Sequence, residues 1–440
     1  MLDTTIVGFI RRISATALVL SLSTLLSACM NTSSPDTKEP RNWVIENVAG
    51  KSTAELYADL IAPGVYKQSS SKEIDGYTVE SGNLKMPDES TGSLVAVRSK
   101  DGSLTAIVEK PGESGLLVIN SNGETRFTPS PTLDYSLPDT VKDNTTTKAG
   151  ATNPSVMQGP YVIDMLIGYS RDAVSSVGGN AHANALAQIE SVNLALRNSL
   201  ITNISIELVG IEIVEKNYPV NLETYQALPQ IFSTGIATHK PDLVYGMFNY
   251  EDSGAGGYGE LAGRFAMGLA WGAAVFRHEV GHNAGGLHCV AQGGAPVPYG
   301  YGHNNGKTTT AQCGNANPYY STPAVRDAHG LLIGDAATAD MARVWRENAQ
   351  RLSSYTARTP KNFRLTGSTA FTATFSWDPS PDAVGYNIYY TSPTTQNPVK
   401  AGSTANPTYT ASVMSNRTMY YAKAVGSLGI ESELSNGATK

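Results

Sequence analysis

The chain reads as an α+β protein of several domains, and three observations carry that reading. Its 440 residues exceed what one hydrophobic core usually organises. Short alternating stretches bounded by turn residues fill both ends, while the middle mixes strand-like runs with helical periods. Finally, only 16% of residues are charged, and Gly is abundant at 42 positions, a composition that suits an extracellular, β-rich protein. The expected layout is an export signal over 1–28, a β-rich domain over 29–128, a linker over 129–158, an α/β domain over 159–357 and an all-β sandwich over 358–440.

At the N-terminus, Arg11 and Arg12 precede an apolar run from Ile13 to Ala28. That run is short for a transmembrane helix and has the arrangement of a signal peptide. Leu26-Ser27-Ala28-Cys29 resembles the lipobox of bacterial lipoproteins, which makes Cys29 the expected lipidation site and an outer-membrane lipoprotein the expected form. Simple secretion is the alternative.

From Asn42 to Phe127 the sequence predicts a short helix at Thr53 to Leu60 and then strands such as Ser93–Arg98 and Gly115–Ile119. Lys100-Asp101-Gly102 and Asn122-Gly123 supply the hairpin turns. Pro129 to Gln158, rich in Pro, Thr, Asn and Lys, reads as an exposed linker suited to cleavage. It lacks cysteine, so no thiolate from it can mask a metal. Latency would have to rest on steric cover or on a carboxylate such as Asp134 or Asp139.

The chemistry is concentrated in His278-Glu279-Val280-Gly281-His282-Asn283-Ala284-Gly285-Gly286-Leu287-His288, the full pattern HExxHxxGxxH. Residues four apart share a helix face, so His278 and His282 can grip one ion. The Ala-rich run Phe265 to Arg277 is expected to be a buried helix leading into the motif. Gly285 can take positive φ, turning the chain so that His288 returns to the same ion. Three imidazoles with an open fourth position describe a catalytic Zn2+ site. Glu279, beside the first ligand, is the expected general base for attack by water on a carbonyl. One catalytic zinc is the cofactor expected; nothing in the sequence calls for calcium. Of the three cysteines, Cys289 and Cys313 are expected to pair, closing a loop beside His288. A thiolate in a separate metal site is the competing reading.

This motif resembles that of the metzincin metalloendopeptidases, and its surroundings resemble their reprolysin-like bacterial branch, over about Pro160 to Tyr355. Tyr161 to Tyr169 resembles the first strand of that family, Ala181 to Leu200 its first long helix, Ile204 to Val214 its next strand and Ala337 to Leu352 its closing helix. The resemblance implies a mixed sheet carrying a zinc helix, hydrolysis of peptide bonds, and protein or peptide substrates. It also implies that Pro318-Tyr319-Tyr320-Ser321-Thr322-Pro323 lines a substrate pocket, so that Tyr319, Tyr320 and Ser321 are candidate substrate-binding residues. His303 joins them by its place between the third ligand and that segment. Gly254 to Gly263, with Tyr258 and Glu260, could supply a strand edge for an extended peptide. Two features depart from the family. The methionine turn is replaced by Lys307 to Cys313, with Thr310 or Ala311 in its place and Met341 too far along to substitute, and Cys289 stands where many reprolysins have an aspartate. The N-terminal domain occupies the position of the family's β-rich propeptide, although a permanent accessory domain would show the same pattern.

Beyond Thr359, short strands are expected at Phe363–Leu365, Phe371–Trp377, Gly385–Tyr390, Thr408–Ser412 and Met419–Val425. Trp377-Asp378-Pro379, Gly385 to Tyr389 and Tyr420 to Val425 resemble landmarks of a fibronectin type III module. Such modules space or bind rather than catalyse. The net charge of -6, with few basic clusters, argues against a nucleic-acid partner. The functional expectation is an exported zinc endopeptidase; the competing one is a surface-anchored binding protein with a degenerate zinc site.

Overall fold

A computed structural model describes residues 41–440 apart from 45, 48–49, 53–54, 57–63, 131–136, 143–159, 253, 316, 381 and 413–417. The expected signal segment, Cys29, Asp134 and most of the helix at Thr53 to Leu60 lie outside the described residues; Glu55 and Leu56 are helical.

Strands β1 (Arg41–Val44), β2 (Val65–Ile74), β3 (Tyr77–Lys85), β4 (Thr91–Arg98), β5 (Leu104–Lys110), β6 (Glu113–Ile119) and β7 (Glu124–Pro129) form an antiparallel sheet in the order β1-β7-β6-β5-β4-β3-β2. Alternation along each strand gives the sheet two apolar faces. One face gathers Leu84, Leu94, Leu104, Leu117 and Phe127 in a core of its own. The other sends Val79, Val95, Val97, Ile107 and Leu116 into the core of the next domain.

That next domain is built on β8 (Thr140–Val141), β9 (Tyr161–Ser170), α1 (Arg171–Ser176), α2 (Ala181–Asn198), β10 (Ile204–Val214), α3 (Leu222–Ile231), α4 (Ser233–His239), β11 (Leu243–Phe248), β12 (Gly257–Glu260), β13 (Phe265–Leu269) and α5 (Val275–Ala284). The sheet order is β10-β9-β11-β13-β12-β8. Its first four strands are parallel, β12 is antiparallel to β13, and β8 pairs parallel to β12 at the edge. The α/β reading therefore resolves into a mixed sheet. Asn180 caps α2 through its side chain on the Ala183 N–H, and Asn193 inside α2 pins Ile206 of β10 through both amide atoms.

The expected helix over Phe265 to Arg277 is not what forms. Phe265–Leu269 is strand β13, and the helix begins only at Val275. Gly268 and Gly272 weaken a helix there, and parallel pairing with β11 satisfies the backbone instead.

The chain continues through β14 (Leu287–Cys289), β15 (Tyr301–Gly302), β16 (Thr322–Arg326), β17 (Leu332–Ile333) and α6 (Met341–Leu352), capped by Asp340. The last segment holds β18 (Lys361–Ser368), β19 (Thr372–Asp378), β20 (Gly385–Ser392), β21 (Thr395–Thr404), β22 (Thr408–Ser412) and β23 (Met419–Val425) in two three-stranded sheets, β18-β19-β22 and β21-β20-β23. The two share a core of Phe363, Phe375, Trp377, Tyr386, Ile388 and Tyr420. Strand β21 was not among the expected ones. Arg358 fastens this segment to the sheet below through Asp164 at 2.6 Å, and the Thr356 N–H donates to buried Asp242 at 3.0 Å.

Candidate metal centre

Helix α5 presents His278 and His282 one turn apart, with rings 4.7 Å between centroids. The helix ends where expected: Gly285 takes φ of 115°, and β14 then carries His288 back, its ring 5.0 Å from each of the other two. All three are buried, with no more than 7% of surface exposed. The edge strand lies close against this helix because Gly257 and Gly259 have no side chain. A Cβ on Gly257 would sit 2.7 Å from Glu279 Oε1, and one on Gly259 would sit 2.8 Å from His282 Cβ.

The second nitrogen of each helical ligand is tied down. His278 Nδ1 donates to Ala311 O at 2.6 Å and His282 Nδ1 donates to Gly286 O at 2.7 Å. Both Nε2 atoms are therefore unprotonated, yet they lie 3.2 Å apart. Two lone pairs facing each other repel unless a cation sits between them. His288 Nε2 points the same way, 2.9 Å from Asp139 Oδ1 without hydrogen-bond geometry. The donor set of three imidazoles and one carboxylate, with ligand atoms within 4.8 Å of one another, fits tetrahedral Zn2+.

The fourth member is Asp139, which sequence reasoning named only as one of two carboxylates able to confer latency. Its oxygens lie 3.3 Å from His278, 3.5 Å from His282 and 2.9 Å from His288. It is 6% exposed, although the linker around it was expected to be exposed throughout. Backbone pairing places it there: the Gly259 N–H donates to Asp139 O at 3.0 Å, and the Leu261 N–H donates to Val141 O at 2.8 Å. Of the stretch Gly254 to Gly263, residues Gly257–Glu260 form strand β12, and residues 139–141 lie along it. The three imidazoles hold the Asp139 carboxyl far below the usual carboxylate range, against the opposing effect of burial. Burial lowers His278 to about 4, partly offset by the Asp139 carboxylate.

Glu279 is 2% exposed, and its Oε2 has no hydrogen-bond partner among the described residues. Burial, helped by the charge of Asp139, pushes its pKa well above the ordinary carboxylate value. That makes it a stronger base than a solvated glutamate.

The floor of the site replaces the methionine turn with three contacts. Ala311 gives its carbonyl to His278, and Gln312 Nε2 donates to His278 O at 2.9 Å. The expected disulfide joins Cys289 to Cys313, so the strand of the third ligand is bound covalently to that floor. Met341, set aside by sequence reasoning as too distant, is fully buried against Gly286, where a Cβ would collide with its thioether. It therefore backs the residue whose carbonyl orients His282. Arg351 of α6 caps the zinc helix by donating to Asn283 O and Ala284 O at 3.0 and 3.2 Å.

The four candidate substrate-binding residues divide. Tyr320 and Ser321 are fully buried, Tyr320 donating to Arg277 O at 3.0 Å and Ser321 to Tyr301 O at 2.6 Å, so their side chains are spent on the core. Tyr319 and His303 keep partial exposure. His303 is anchored by its backbone to Thr310, and burial lowers its pKa.

Residues 159–326 match the model of metallo-peptidase family M12. A peptidyl-Asp metalloendopeptidase of Stenotrophomonas maltophilia is 25% identical over 292 residues, 58% of this chain and 69% of that protein. A protein of the same name from Xanthomonas campestris pv. campestris is 26% identical over 286 residues, 57% of this chain and 67% of that one. Among solved structures, metalloproteinase-II from Bacteroides fragilis aligns over 57% of this chain and 82% of its own, at 12% identity and a TM-score of 0.37.

Proposed function

We propose that the chain is a zinc metalloendopeptidase, exported as a latent precursor whose turnover depends on Glu279; the match of residues 159–326 to metallo-peptidase family M12 and the two metalloendopeptidase relatives support this reading. The observation that carries this reading is the convergence of three imidazole Nε2 atoms beside one buried carboxylate, Glu279, whose Oε2 has no hydrogen-bond partner among the described residues. When bound, zinc supplies Lewis-acid polarisation of the scissile carbonyl and of the attacking water. Glu279 takes the proton from that water and returns it to the leaving amine, a task suited to a carboxylate whose proton affinity is raised by burial. Strand β12 holds the substrate backbone once its edge is free, a mode of recognition that is indifferent to most side chains.

The name of the two relatives supports a preference for aspartate beside the scissile bond. Arg326, whose guanidinium donates to Gly330 O at 2.7 Å on an exposed hairpin, is the candidate source of that preference. Latency rests on Asp139, whose carboxylate fills the position that water would need. Export rests on the basic and apolar N-terminal pattern and on the disulfide, which belongs to an oxidising compartment. Cys29 anchors the chain to the envelope, and residues 358–440 act as a fibronectin type III-like spacer.

The test is cleavage of an unstructured protein by the activated chain, with and without a chelator and beside Glu279→Ala, followed by mapping of the cut sites. Loss of activity in both controls, with zinc retained in the variant, and cuts clustered at aspartate are expected. An active Glu279→Ala removes Glu279 as the base; cuts without acidic bias remove the aspartate preference. Persistence of the bias in Arg326→Ala removes Arg326 as its source. Fatty-acid labelling abolished by Cys29→Ala checks the anchor, and labelling that never occurs removes it.

A further inference from the structure

We propose that the N-terminal sheet is not discarded on activation but stays on the catalytic domain as a permanent part of the enzyme, bracing the zinc helix through Glu109. The proposal rests on the endopeptidase reading for the identity of that helix, and on independent features of the interface for the rest.

The sheet and the zinc domain share one core. Val79, Val95, Val97, Ile107 and Leu116 are each at most 1% exposed and cluster with side chains of α2 and α5. A segment built to leave would expose this apolar face on both partners. The polar contacts around it are matched in kind. Ser81 Oγ donates to Glu190 at 2.6 Å, Arg197 donates to both, and Asn83 and Asn198 exchange hydrogen bonds at 2.8 and 2.9 Å.

At the centre, Arg277 is wholly buried and donates two parallel hydrogen bonds to Glu109, at 2.7 and 2.8 Å. Ser93 Oγ donates to the same carboxylate at 2.6 Å, and Asn315 Oδ1 takes a further Arg277 bond at 2.7 Å. Arg277 immediately precedes His278 on α5. Removing the sheet would take from this guanidinium both its carboxylate partner and the strands that carry it, next to the first zinc ligand. Glu109 is thus a positioning residue, acting on the ligand through the arginine beside it.

Strand β8 is a different kind of attachment. It holds the cleft by two register pairs at the sheet edge, Gly259 with Thr140 and Glu260 with Val141. Latency and the sheet are therefore separable: the first lies in residues 139–141, the second in the core.

The experiment places the recognition sequence of a site-specific protease between residues 131 and 136 of the full chain, ahead of β8 so that residues 139–141 stay with the catalytic fragment, cuts it, and passes the product through a sizing column in high salt. The fragment carrying β1–β7 is expected to co-elute with the catalytic fragment. Elution of that fragment alone overturns the proposal whether or not the catalytic fragment is active. Co-elution without turnover, even with Asp139→Ala added, counts against the endopeptidase reading and leaves the retained sheet standing.

A second arm compares loss of zinc to a chelator from the cut, co-eluting proteins. Glu109→Gln, which keeps the shape and removes the charge, is expected to release zinc about tenfold faster than the unsubstituted protein, as outer partners of metal ligands commonly do. Ser81→Ala, buried in the same interface but hydrogen-bonded to α2 rather than to the zinc helix, is expected to leave the rate unchanged. Equal rates for all three would overturn the bracing role.

Discussion

Substitution of Asp139 by alanine should turn the uncut precursor into a working protease. The carboxylate is 6% exposed and lies 2.9 to 3.5 Å from three imidazole nitrogens. Breaking a buried charge contact by deleting one partner costs about 3–5 kcal/mol. What remains in the variant is the backbone of β8, namely the hydrogen bonds to Asp139 O and Val141 O, worth about 0.5–1.5 kcal/mol each. At about 1.4 kcal/mol per decade, the open population should rise by roughly 10² to 4 × 10³. The assay is hydrolysis of an internally quenched peptide by full-length chains of equal zinc content, before any cut in the linker. Asp139→Asn should gain nearly as much, because it keeps the side chain's size and removes its charge. If both variants remain as inert as the unsubstituted precursor, cover by β8 alone closes the cleft. If the unsubstituted precursor is already as active as the variants, Asp139 does not confer latency at all.

Three further outcomes follow from the same geometry. Cys313→Ser opens the loop that joins the third ligand's strand to the site floor and should lower stability by about 3 kcal/mol, visible as a fall in thermal midpoint that a reducing agent reproduces in the parent. An unchanged midpoint would show that the bond contributes nothing to the fold. Met341→Ala removes the thioether packed against Gly286 and should cost about 2–5 kcal/mol, with zinc lost to a chelator faster than from a variant truncated at Trp345 to a similar stability. Equal zinc loss would reduce Met341 to ordinary core. Asp242, raised to about 7 chiefly by burial, keeps a proton in the fold over a range where the unfolded chain, ionising near 3.8, has lost it. The native state then binds more protons, so this residue's contribution falls as pH rises from about 4 to about 7, by at most about 4 kcal/mol. The gap in thermal midpoint between the parent and Asp242→Asn should shift against the parent across that window; a constant gap would refute the assignment.

The parts legible in the sequence were those whose cause is local. The ligand spacing of His278 and His282 follows from helix geometry, and the positive φ of Gly285 from the only residue that adopts it without strain. Cys289 pairs with Cys313 as the cysteine count led one to expect, and strand β10 runs from Ile204 to Val214 as the family resemblance implied. Phe265 to Arg277 misled because a short apolar run carries no period that separates a buried strand from a buried helix. Its glycines were the available signal: Gly268 and Gly272 favour a strand and a turn over a helix interior.

What the sequence hid is contact between distant segments. Glu109 and Arg277 stand 168 positions apart. The strand pattern shows only that Thr105, Ile107 and Glu109 share a face, without saying that this face meets the zinc helix. A glutamate on an apolar strand face was the sole hint that a cation awaits it. Asp139 was harder still, since one carboxylate in a Pro- and Thr-rich stretch has no spacing to betray it. Its role emerges only when Thr140 and Val141 are laid along Gly259 and Glu260, because a parallel pairing there puts the preceding side chain over the three imidazoles. The edge that would carry a substrate is the same edge that carries residues 139–141, so occupation of one excludes the other. Blocking and recognition are then two uses of one strand edge, and any change that loosens β8 from Gly259 should raise activity without touching a ligand.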